Sequence, residues 1–105
     1  MAGGTHDYLD DPRNGSIRIS INGEMFPRGE AKVSVFDSGF MLGDGVWEGI
    51  RLHRGRLLFL DAHLERLYEG AKAIDMDIGL SPVEMGARIE AVLAANGMDT
   101  DVHIR

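Results

Sequence analysis

The chain has 105 residues, 44% hydrophobic and 27% charged, the balance of one soluble globular domain that buries roughly 60 to 70% of its unfolded surface. Its 17 acidic residues outnumber 11 Lys and Arg for a net charge of -6, and no basic cluster is dense enough to track a phosphate backbone, which argues against nucleic acid as a partner. The absence of cysteine removes disulfides and thiolate metal sites, and no apolar run approaches the roughly 20 residues that span a bilayer, so a cytoplasmic protein without a membrane partner is expected.

Residues 1–15 carry Gly3, Gly4, Asp7, Asp10, Asp11, Pro12, Asn14 and Gly15 with little to bury, and are read as a flexible arm; 16–105 form the domain. Ile17, Ile19 and Ile21 alternate with polar residues, Asn22-Gly23 signals a tight hairpin, and residues 24–26 are expected to pair back. Val33 and Val35 alternate in the same way, which predicts a short strand holding Lys32, followed by a functional loop in DSGFMLGDG. VWEGIRLH reads as a strand, Arg54-Gly55 as its turn and RLLFL as the returning strand.

From Asp61 the period changes. Leu64, Leu67, Tyr68, Ala71 and Ile74 recur at helical spacing, which predicts a helix capped by Asp61 and running to about Asp75. Ser81-Pro82-Val83-Glu84 combines a capping box with a first-turn proline. Met85, Ile89, Val92 and Leu93 make an apolar stripe behind it, and Asn96-Gly97 ends this second helix. Val102 and Ile104 begin another strand. The order favours an α+β fold, a mainly antiparallel sheet packed with two helices.

No nucleophile motif stands out among four histidines, two lysines and many carboxylates. His63 lies three residues before Arg66 on one flank of the first long helix, but without a second histidine at ligand spacing it reads as a structural or surface side chain. Arg66, next to the apolar stripe, either reaches inward to an anion or pairs along the surface with Glu69. Asp37 and Asp44 read as turn caps. Trp47 reads as a core residue or a pocket wall, and Gly39, Gly43, Gly45 and Gly49 as tight turns or a close approach to a ligand.

Taken together, VSVFDSGFMLGDGVWEGIR, then a hairpin, then LDAHLERLYEGAKAI, then a helix ending in NG and the strand DVHIR resemble the N-terminal domain of class IV, fold-type IV pyridoxal-phosphate aminotransferases. That family includes branched-chain and D-amino-acid aminotransferases and aminodeoxychorismate lyase, and the resemblance covers about 18–105. It implies pyridoxal 5'-phosphate as cofactor, an amino donor and a keto acid as substrates, and a homodimer. It implies that Arg66 binds the cofactor phosphate and that Glu48 lies near the cofactor. It further implies that Trp47 and Gly49 line the substrate pocket, and that Arg105 sits on the substrate side where it can hold a carboxylate.

Leu42 departs from the family pattern, standing where branched-chain members carry a tyrosine. Neither Lys32 nor Lys72 matches the family's Schiff-base lysine, which belongs to a C-terminal domain expected beyond this chain, so the chain alone is expected to be inactive. A lyase of the same fold, or a binding or dimerisation module without chemistry, are the alternatives.

Overall fold

The computed structural model describes residues 11–105, so the expected arm falls outside the described residues over 1–10. Of the rest of that arm, Pro12–Ser16 forms a 3-10 helix capped by Asp11, whose side chain accepts from the Arg13 N–H. Arg13 also donates to the carbonyls of Thr100 and Asp101 at 2.9 and 2.7 Å, which ties this turn to the far end of the domain.

Strand β1 (Arg18–Ile21) pairs antiparallel with β2 (Glu24–Pro27), Arg18 opposite Pro27 and Ile21 opposite Glu24. Asn22 and Gly23 both hold a left-handed φ, 54° and 84°, as a two-residue hairpin of this twist requires. A second sheet has the order β4-β3-β5 from β3 (Ile50–His53), β4 (Arg56–Leu57) and β5 (Val102–Ile104), all antiparallel. Arg54-Gly55 makes its hairpin turn, again with both φ positive.

Among the described residues three α-helices complete the fold: a short α1 (Ser38–Leu42), α2 (Leu60–Ala73) and α3 (Pro82–Asn96). The capping box forms as read: Ser81 accepts from the Glu84 N–H and Glu84 from the Ser81 N–H, both at 3.1 Å, and Gly97 closes α3 in the left-handed region. The core sits where α2 and α3 meet the second sheet, around the buried Ile50, Leu52, Leu64, Ala71 and Leu93. No helix among the described residues is long and apolar enough to cross a membrane.

Several local expectations are corrected. Residues 31–36 form no strand, and Val33 and Val35 are 64% and 63% exposed. Alternation makes a strand only where a neighbour takes its N–H and C=O groups and one face is covered, and neither holds here. Asp37 instead caps α1, accepting from the Gly39 N–H at 2.9 Å. The strand expected from Val46 begins only at Ile50. Helix α2 starts after Phe59, whose own φ of 56° turns the chain into it; Asp61 lies in the first turn, where its charge still favours the helix N-terminus.

The first hairpin is tied to α3 through one amide. Asn96 accepts from the Arg18 N–H at 2.7 Å and donates to the Arg18 carbonyl at 3.0 Å, so its side chain acts as a strand partner for β1 while also bonding Val92. Asn96→Ala is expected to cost about 1–3 kcal/mol of stability, read as a lower urea midpoint, with Asn96→Asp intermediate because it keeps only the acceptor. An unchanged midpoint for both would show that β1 does not depend on this amide.

Candidate active site

The segment Val46–Gly49, just before β3, carries most of the residues singled out by the sequence. Helix α2 approaches it closely: a Cβ on Gly70 would lie 3.3 Å from Val46 Cγ1, so the missing side chain lets the helix sit against the loop. On that helix His63 and Arg66, one turn apart, point to the same flank.

Both reach Glu48. Its carboxylate accepts from Arg66 Nε at 2.8 Å and from Arg66 Nη2 at 2.6 Å, while His63 Nδ1 stands 2.7 Å from Oε1. Glu48's side chain is only 10% exposed, against 71% for Arg66. The Arg66 hydrogen bonds, then that of His63, hold the Glu48 carboxyl at a pKa of about 2 against an ordinary 4.5, outweighing the opposing effect of burial. The same pair raises the pKa of Arg66. An ionised carboxylate only accepts, so the facing His63 nitrogen is the one that carries hydrogen. Arg66 is therefore bonded to Glu48 and not to Glu69, and Glu48 lies 18 positions away in sequence.

A second group lies beside the first. The Arg105 guanidinium stacks on the Trp47 ring, 4.6 Å from its centroid. Trp47 is 65% exposed, which excludes the core reading, and it joins Glu48 and Arg105 in lining a mainly apolar cavity of about 480 Å³ with Ile50, Leu64 and Val102. A Cβ on Gly49 would stand 2.7 Å from the His103 ring, so glycine here lets β5 lay that ring over the start of β3. Arg66 does not line this cavity. Leu42, at the end of α1, is 72% exposed.

The structure thus couples Glu48 with Arg66 and Trp47 with Arg105, and adds His63. The signal for His63 was its three-residue spacing from Arg66; its partner is distant in sequence and was invisible to periodicity.

An α+β domain built this way, with an arginine-bearing helix against the loop before a central strand, is the class that the fold defines. Residues 45–105, more than half the chain, match the family described as amino-transferase class IV, and the chain belongs to that family. It is 42% identical to branched-chain-amino-acid aminotransferase-like protein 1 of Arabidopsis thaliana over 92% of this chain and 18% of that protein. The fold is similar to that of a branched-chain aminotransferase from Thermoproteus uzoniensis, solved with norvaline. The TM-score is 0.76 at 32% identity, over 85% of this chain and 31% of the other. It is also similar to a T.th. branched-chain amino acid aminotransferase, solved with N-(5'-phosphopyridoxyl)-L-glutamate. Here the TM-score is 0.72 at 33% identity, over 80% and 30% of the two chains. The chain therefore spans less than a third of each of these proteins.

Because the Glu48 pKa is lowered on folding, its contribution to stability is complete above about pH 4.5 and is lost as pH falls toward about 2. Glu48→Gln is expected to flatten that part of the acid-unfolding profile followed by circular dichroism; a profile identical to that of the parent chain would mean the pair is not coupled to folding.

Proposed function

We propose that this chain forms part of a pyridoxal-phosphate-dependent aminotransferase, which moves an amino group between an amino acid or amine donor and a 2-keto acid. The observation that carries this reading is the edge of Arg66 that Glu48 leaves over. A guanidinium offers five N–H donors along two bidentate edges. Glu48 takes the edge made by Nε and Nη2, and Nη1 makes no hydrogen bond among the described residues. The remaining edge, on a side chain 71% exposed, suits two oxygens of a phosphate, so the donor set fits the phosphate of pyridoxal 5'-phosphate.

When bound, that cofactor supplies the electron sink for chemistry at the amino-bearing carbon. In this reading Arg66 holds the phosphate and Glu48 stands beside it. Trp47 and Gly49 form the substrate wall, and Arg105, stacked on Trp47, meets a substrate carboxylate. Kinship with a protein solved with a phosphopyridoxyl ligand supports the cofactor. The reading gives neither Lys32 nor Lys72 the part of the reactive lysine, so the 105-residue chain is expected to bind the cofactor without turnover.

Trp47 is the chain's one tryptophan, which makes fluorescence quenching a local probe of binding. Titration is expected to give about tenfold tighter binding of pyridoxal 5'-phosphate than of pyridoxal, as charge-assisted hydrogen bonds warrant, and Arg66→Ala is expected to erase the difference. Equal affinities in the parent chain would remove the reading. A homodimer belongs to the same proposal, because Phe36, Phe40, Leu42 and Trp47 leave 82%, 70%, 72% and 65% of their surface exposed, apolar area that a second copy would cover. Sedimentation velocity should then show a dimer; a monomer across the accessible concentration range would count against self-association.

A further inference from the structure

His63 is the one member of the Glu48 cluster to which the resemblance assigned no part and which spacing read as a structural or surface side chain. Its ring is 22% exposed, and the Nδ1 to Oε1 distance of 2.7 Å matches that of the arginine bonds. Glu48 Oε1 therefore receives two donors, Arg66 Nη2 and His63 Nδ1, while Oε2 receives Arg66 Nε. A carboxylate alone can pivot about its last torsion and let an exposed arginine swing; one also held by a ring on the same helix cannot. Both donors come from α2, and the acceptor comes from the loop that Gly70 lets close against that helix.

Resting on the phosphate role proposed above for Arg66, we propose that His63 and Glu48 form a clamp. It fixes the side edge of the Arg66 guanidinium and thereby presents the Nη1–Nη2 edge, already oriented, to the cofactor phosphate. His63 is a positioning residue that acts through Glu48, and Glu48 is a positioning residue rather than a cofactor ligand. The arrangement confines the ring: with the carboxylate ionised, His63 must hold hydrogen on Nδ1.

The clamp and a plain charge effect predict opposite signs. Glu48 is an anion beside an anion site, so if it did nothing but repel, Glu48→Gln would tighten phosphate binding. If it positions Arg66, the same substitution weakens binding despite the lost repulsion. We expect Glu48→Gln and His63→Gln each to weaken pyridoxal 5'-phosphate binding by the full 105-residue chain about threefold, part of the roughly tenfold that Arg66→Ala removes, read by Trp47 quenching, and to leave pyridoxal binding unchanged.

A measurement on the unmutated chain keeps the test independent of how the variants fold. Two-bond nitrogen–proton NMR spectra are expected to show the His63 ring protonated on Nδ1, and the Arg66 Nε–H to be protected from solvent exchange. A ring protonated only on Nε2, or an Arg66 Nε–H that exchanges as freely as those of exposed arginines, overturns the clamp. Equal or tighter phosphate binding by both variants overturns it as well, and if Arg66→Ala still erases the preference over pyridoxal, the phosphate role of Arg66 survives that result. Should Arg66→Ala keep the preference, that role fails and takes the clamp with it.

Discussion

The arrangement of this domain depends on one charged side chain held almost out of water. Glu48, 10% exposed, lies in a loop with no ladder hydrogen bonds of its own, between α1 and the first residue of β3. A carboxylate in that position raises the energy of the fold unless its charge is answered, and it is answered twice from α2, by Arg66 and His63. The loop is thereby fastened to the helix at a point where backbone pairing offers nothing. Gly70 makes the approach possible, and Leu64, one residue beyond His63 on the same helix, is buried in the core.

The second sheet carries that placement to the other side of the cavity. Strand β5 pairs with β3 so that His103 lies opposite Arg51, and the ring of His103 covers Gly49. Arg105 then reaches Trp47 across the end of the same pair. The turn leading into β5 is itself restrained, by Arg13 on the carbonyls of Thr100 and Asp101, by the Arg54 N–H on Thr100 Oγ1, and by the Gly55 N–H on the Asp99 carbonyl. Contacts far from Trp47 thus decide where Arg105 can stand.

What the sequence made legible was written in local chemistry. Asn22-Gly23 and Arg54-Gly55 specify their turns because both central residues need positive φ, and Ser81, Pro82 and Glu84 specify a helix start because orphan N–H groups need nearby oxygens. The family resemblance singled out Arg66, Glu48, Trp47 and Arg105, and the fold groups them in two touching pairs. What stayed hidden depended on partners distant in the chain. Val33 and Val35 carry a strand's alternation but have no strand partner among the described residues, Trp47 carries a core residue's chemistry but lies at the surface, and Arg66 had a nearby acidic residue in Glu69 but found Glu48. Periodicity reports which face a side chain occupies, not which element comes to meet it.

A largely covered anion beside a proposed anion receptor looks self-defeating, since the two charges repel and share one guanidinium. The geometry gives a reason for it to persist. An exposed arginine keeps several rotamers, and an anion that captures it must first order it, which removes part of the attraction. Glu48 holds Arg66 along the Nε–Nη2 edge, and on the proposed reading this orders the guanidinium before a ligand binds its remaining edge. Solvent and salt around a guanidinium that is 71% exposed would screen part of the repulsion between the covered carboxylate and a phosphate on the outer edge, whereas a guanidinium already held in place keeps its orientation. On the proposed reading the carboxylate gives up some attraction for a fixed direction of approach, a favourable exchange wherever the orientation of a bound group decides the chemistry.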